Sequence, residues 1–420
     1  MRIAAALAAG IALLVPAPAL AGGEGTKSYR SLQNDKIVNA DVWSNQPEML
    51  AAGLGFTDII GVPGLTTDRL ARSEALVRDA GGAWNTISCA GEDAPRVSSY
   101  TSASTPSQVS TSFGWLTTYS DGLPVEFSMP IRPSRLGPRD FEVTLSNGET
   151  VTPALASIFP NMEFNERSVA VLFGTFGNRI PTGEPGAVFP VETRVVRDDS
   201  PLQLIGPDGP EDAVGLSAES TTSPYSGGDT GPRLAAAKLS RLSTDGENAP
   251  IAFRGTLPND GRALYGDKAK FRLRVYTTGG FSPDGVRAVF PTEFERYFRL
   301  HTASGKVLTE DGKRYRLGDV HLKVLGLADL GRRRSSYDDC YREDRDNYID
   351  IVLGGDKKAA AKLREVEIPA TGGYDPFYNP GGPGNDPTPG VEYTAPGPSQ
   401  LEPIFDALDD PATVSFFRRR

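Results

Sequence analysis

The chain of 420 residues has only two cysteines, Cys89 and Cys340, and two histidines, His301 and His321. That scarcity removes several chemistries. A serine or cysteine hydrolase needs a base beside its nucleophile; both imidazoles stand inside strand-like patterns, and no Gly-x-Ser-x-Gly turn occurs. Two cysteines do not make a zinc site without the histidines, which are distant from them in sequence. A basic surplus is also missing: 44 Lys and Arg stand against 53 Asp and Glu, for a formal net charge of −9. Binding to a phosphate backbone needs a basic surface, so nucleic acid is not an expected partner. Gly53 and Gly55 begin a nucleotide-type spacing, but Asp58 stands where its third glycine belongs.

Long apolar runs are missing as well. No stretch approaches about eighteen uninterrupted apolar residues, so no membrane-spanning helix is expected. The first 21 residues have the form of a secretory signal peptide: Arg2, an apolar core over residues 3–15, and the small-residue site Ala19-Leu20-Ala21. Cleavage there leaves 420 − 21 = 399 residues beginning at Gly22, with a net charge of −10 because Arg2 is the only charge removed. No cysteine follows the cleavage point to take a lipid. A periplasmic or extracellular location is expected, and in an oxidising compartment Cys89 and Cys340 are expected to form a disulfide. Two separate buried thiols are the alternative.

What is present reads as mainly β: two antiparallel β-sandwich-like domains after a small mixed α/β region. The expected boundaries are a mixed region over 22–97, a first sandwich over 98–206, a loop-rich connection over 207–250, a second sandwich with an acidic loop over 251–370, and a Pro/Gly-rich arm over 371–420. A helix is predicted over 67–80, with Thr67 as its cap and Gly81 at its end, between strands at 58–62 and 84–88. Phe113, Trp115 and Tyr119 alternate, which predicts a strand across 98–121. Asn147-Gly148 supplies the positive φ angles of a tight hairpin between 141–145 and 150–152. Further strands are expected at 168–176, 188–196, 202–205, 251–257, 297–302, 306–309, 314–317 and 320–327. Another is expected at 270–278, with Arg272, Arg274 and Tyr276 on a wet face. A short helix is expected at 357–365.

The densest chemistry lies in residues 335–355. Asp338, Asp339, Glu343, Asp344, Asp346 and Asp350 are six acids within thirteen positions. Behind them Ile349, Ile351 and Leu353 share one face of a strand, and Asp350 faces away. Calcium takes oxygen ligands of this kind, so a Ca²⁺ site is expected at Asp344, Asp346, Asn347 and Asp350, helped by Asp338, Asp339 or Glu343. The spacing is not that of an EF-hand, because Ile349 occupies the glycine position. The plainer alternative pairs these acids with Arg332, Arg333, Arg334, Arg342 and Arg345 on a solvated loop, at about 0–1 kcal/mol for each pair.

Carboxylate chemistry is the enzyme class that survives. Glu163 and Glu166 precede an apolar strand, and two acids held roughly 5–9.5 Å apart break glycosidic bonds. Glu293 and Glu295 are equally eligible, and all four also fit a water-facing strand or loop edge. The leading expectation is a secreted protein that binds a ligand or surface component, stabilised by calcium. A carboxylate-dependent glycosidase or polysaccharide lyase and an envelope assembly protein are the alternatives.

Overall fold

The computed structural model describes residues 10–11, 27–66, 69–86, 99–220, 223–225, 233–243, 248–252, 261–279, 289–330, 337–338, 341, 347–369 and 399–418. The first part of the chain runs β1 (Gly10–Ile11), α1 (Lys27–Arg30), β2 (Lys36–Asp41), β3 (Met49–Ala52), β4 (Phe56–Ile60), α2 (Leu70–Asp79), β5 (Trp84–Thr86), β6 (Ser99–Thr101), α3 (Pro106–Phe113) and β7 (Ser120–Phe127). It continues through β8 (Phe141–Leu145), β9 (Thr150–Val151), β10 (Leu155–Ser157), β11 (Val169–Gly174), β12 (Pro190–Val195), β13 (Gln203–Gly206), β14 (Gly209–Asp212) and β15 (Ser217–Glu219).

A sheet in the order β10-β11-β7-β3, with β4 also on β7, packs over a sheet in the order β15-β12-β8-β9. Period-two alternation builds the core between them. Leu123, Val125 and Phe127 of β7 and Ala170 and Leu172 of β11 meet Phe141 and Val143 of β8 and Val195 of β12. The opposite face of the first sheet is covered too: Val171 and Phe173 pack with Phe56, with Val77 of α2 and with Val109 of α3. Every residue of β7 is therefore buried.

The second part runs β16 (Leu234–Arg241), α4 (Gly261–Tyr265), β17 (Phe271–Thr277), α5 (Phe294–Tyr297), β18 (Arg299–Thr302), β19 (Val307–Leu308), β20 (Arg314–Leu317), β21 (Val320–Ala328), β22 (Tyr348–Gly355), α6 (Lys357–Ala360), β23 (Leu363–Ile368), β24 (Gln400–Ala407) and β25 (Thr413–Phe417). Nine of these strands form one sheet in the order β19-β18-β23-β24-β16-β17-β22-β21-β20. Its inward residues, among them Leu239, Leu273, Val275, Leu300, Val324, Ile351 and Val366, share one core. The two ends of the sheet approach each other. The Tyr315 hydroxyl of β20 accepts from the backbone of Thr309 (3.1 Å) and Glu310 (2.7 Å), just after β19, and Lys306 Nζ donates to the Arg316 carbonyl at 3.0 Å.

The mainly β, largely antiparallel class expected from the sequence is what the chain adopts. The second core differs in being wrapped by one curled sheet rather than by two facing ones. Residues 207–250, expected as a connection, hold β14, β15 and β16. The expected C-terminal arm contributes β24, which enters the middle of the nine-stranded sheet parallel to β16. It also contributes β25, which returns to pair with β2. Long-range pairing of this kind leaves no local trace.

Several local expectations change. Residues 106–113 are helical because Thr105 and Gln108 form a reciprocal capping box, Pro106 starts the first turn and Gly114, at φ 73°, ends the helix. The expected helix at 357–365 is a single turn, after which Leu363, Val366 and Ile368 are drawn into β23 between β18 and β24. At the 145–150 hairpin only Gly148 takes a positive φ, 88°; Leu145 N bonds Glu149 O and Gly148 N bonds Leu145 O, so one left-handed residue closes the turn. The helix at 67–80 is found over Leu70–Asp79, with residues 67–68 outside the described residues. The strands flanking it do not join each other: β4 pairs with β7, and β5 pairs with β6. Ile251 and Ala252 lie in a turn rather than in a strand, and residues 253–257 lie outside the described residues.

Candidate functional site

Of the acids singled out in the sequence, Asp350, Glu163 and Glu166 are buried, Asp338 and Glu293 stand at turns, and others lie in undescribed segments. Asp339, Glu343, Asp344, Asp346, Cys89 and Cys340 lie outside the described residues, and with them the proposed disulfide and most of the proposed calcium site. Among the described residues, no group of three or more His, Cys, Asp or Glu is arranged to hold a metal ion. Asp338 caps a turn, its carbonyl accepting from Tyr341 N at 2.8 Å.

Asp350 points away from the apolar core of the curled sheet, as alternation requires, but not toward water. It is 1 % exposed. Several outward residues of β16, β17 and β22, among them Lys238, Arg272, Arg274, Tyr276 and Tyr348, meet Asp41, Trp43, Glu166 or Ser168 of the first part of the chain. The expected wet face of β17 is thus an internal contact: Arg274 is wholly buried and Arg272 nearly so.

Arg274 organises this contact. Its Nε donates to Asp350 Oδ1 at 2.7 Å and its Nη2 to Asp350 Oδ2 at 3.1 Å. Nη2 also bonds Asp329, while Nη1 lies 3.4 Å from Glu166 and 3.5 Å from Asp41. Asp41, from β2, further accepts from Lys238 and from Arg272, each at 2.7 Å. Burial pushes the Asp41 carboxyl up, but Arg272, Lys238 and Arg274 outweigh it and hold the group well below the usual carboxylate range. Burial works against the Arg274 charge, yet Asp329, Asp350, Glu166 and Asp41 together strengthen its hold on the proton. A charge buried this deeply is tolerated only because it is paired on several sides.

Beside the ions lies an aromatic and amide contact. Trp43 stacks on Tyr348 at 5.9 Å, Tyr276 sits 4.8 Å from Tyr348, and the Tyr276 hydroxyl donates to the Ser168 carbonyl at 2.9 Å. Asn347 Nδ2 donates to Glu126 Oε1 of β7 and to the Thr277 carbonyl, each at 3.0 Å. Glu126 Oε2 has no hydrogen-bond partner among the described residues. Burial raises the Glu126 pKa well above the ordinary glutamate value, against the pull of the Asn347 hydrogen bond.

Glu163 and Glu166 are 2 % and 1 % exposed. Between them and the strand stands Arg167, whose Nη atoms donate to the carbonyls of Asn161 and Met162. Burial lowers the Arg167 pKa to about 10 against the pull of Glu166 and Glu163. Glu293 accepts from Phe290 N at 2.8 Å and caps a short turn.

Sequence reasoning passed over a further charged group around Asp121. Its Oδ1 accepts from Asp58 N at 3.0 Å and its Oδ2 from Phe176 N at 2.6 Å. Burial, with Asp58 adding to it, raises its pKa to about 7. Arg179 lies 5.0 Å from the Tyr225 ring and donates to the Thr57 carbonyl at 2.7 Å. The left-handed backbone of Asp58, φ 63°, is the feature a sequence does not display.

One open feature of the first part is a groove of about 480 Å³ between α1, the end of α3 and β10. Tyr29, Phe113, Leu136 and Leu155 give it apolar walls, and Gln33 and Ser157 give neutral polar groups. Its described lining contains no Asp, Glu, His or Cys. The volume falls in the ordinary range for ligand sites. No protein-family model, curated protein or solved structure matches this chain.

Proposed function

We propose that the chain is an exported protein that binds a ligand or a component of a surface, and that the groove beside α3 and β10 is where it does so. The observation that carries this reading is the groove's lining: aromatic and aliphatic side chains with neutral polar groups and one arginine, Arg30, and no described Asp, Glu, His or Cys. Such a surface holds a partner without transferring protons to it. The carboxylates that suit acid–base work speak the same way. Glu163 and Glu166 are buried too deeply to reach a sugar chain, and Glu166 is engaged by Arg274.

The test is a binding screen of the full chain against glycans and short peptides, with Phe113→Ala alongside. Hits weakened at least tenfold by that substitution support the reading. Hits indifferent to it, or turnover of a polysaccharide by the protein, overturn it.

A further inference from the structure

Strand β10 supplies part of the groove's lining. Among the described residues, strand β10 is the terminal strand of its sheet, bonded to β11 alone. Among the described residues, no backbone group of Leu155, Ala156 or Ser157 bonds anything beyond β11. Four consecutive residues, from Leu155 to Ile158, line the groove, a length of roughly 13 Å at about 3.3 Å per residue.

Free edges are normally guarded by a charge, a proline or a bulge, because they template pairing with another strand. Leu155, Ala156 and Ser157 are none of these, and the β10–β11 register runs without a bulge. Tyr29 and Phe113 line the same groove as this edge.

Resting on the binding reading above, we propose that the groove takes an extended polypeptide segment, added to β10 as a further strand. Main-chain hydrogen bonds would hold four or so residues, with alternate side chains lying against Phe113, Tyr29 and Leu136. Arg30 is the one charged side chain on the described lining, so the segment is apolar at alternate positions and neutral to acidic elsewhere. The same contact surface suits a sugar less well, since a saccharide leaves the strand's donors and acceptors in fixed register unmatched.

The experiment uses the full chain against a displayed library of seven-residue peptides, followed by synthetic copies of the selected sequences. These are measured against wild type and Ser157→Lys, which places a guarding charge on the edge; an unchanged melting curve shows that the variant folds. Expected are peptides with alternating apolar residues whose affinity falls tenfold or more in the variant. N-methylation at alternate residues should abolish binding in one register and spare it in the other, since strand addition uses every second amide. Binding indifferent to both changes overturns the proposal. So does self-association that Ser157→Lys removes, which would make a second copy the occupant. Glycan binding weakened by Phe113→Ala, with no peptide selected, overturns the peptide alone and keeps the binding reading. Neither peptide nor glycan binding overturns both.

Discussion

Arg274 and Asp350 face each other across β17 and β22, joined by two hydrogen bonds at 2.7 and 3.1 Å with neither side chain open to water. The pair stands where two β cores meet. It turns what alternation alone marks as the outer face of a sheet into the inside of the molecule.

Removing one member leaves the other buried and undercompensated. Asp350→Ala is expected to lower the free energy of unfolding by about 3–5 kcal/mol. Denaturant titrations in calcium and in excess chelator should show the same loss, because its partner is Arg274. A loss confined to the calcium series would assign Asp350 to a metal instead.

Glu126 should make stability fall as pH rises. Its folded-state pKa lies well above the ordinary value of 4.5, so above that pH the folded chain holds a proton that the unfolded chain releases. Between pH 4.5 and the folded pKa the wild type loses about 1.4 kcal/mol per pH unit relative to Glu126→Gln. Below about pH 4 the two should coincide. Urea midpoints from pH 4 to 8 check this, and a difference that does not vary with pH would be the contrary result.

Asp41 carries the opposite sign. Its folded pKa is depressed, so its contribution is present above 3.8 and is lost as pH falls below that value toward the folded pKa. Asp41→Asn is expected to be destabilised by about 3 kcal/mol near pH 6, with the gap to wild type narrowing steadily between pH 4 and pH 2. A gap that stays constant to pH 2 would mean that Asp41 acts through packing rather than charge.

The capping box of α3 offers a purely local test. Thr105 Oγ1 accepts from Gln108 N at 3.1 Å and Thr105 N donates to Gln108 Oε1 at 2.8 Å. Thr105→Ala should cost about 1 kcal/mol, and Gln108→Ala part of that. Hydrogen exchange along residues 106–113 should quicken in both variants.

Several elements were legible in the sequence because local patterns suffice for them. The 141–151 hairpin, the strands from 299 to 328 and the apolar side of 348–355 follow from alternation and turn residues. The α3 helix was legible too, through Thr105-Pro106-Ser107-Gln108, but alternating aromatics at 113, 115 and 119 made a competing pattern. The groove was not legible, since α1, α3 and β10 come from three separated segments.

Composition and periodicity determined that this chain is mainly β, which strands alternate, and which side of each carries apolar residues. Those properties depend on neighbours one to four positions apart. Tertiary structure alone decided that Arg272, Arg274 and Asp350 lie inside, that residues 400–407 stand in the middle of a sheet, and that β10 has a free edge in a groove. A polar strand face reads the same whether water or another core covers it. Only the fold supplies Asp41, Glu126 and Glu166 from residues far away in sequence to meet it.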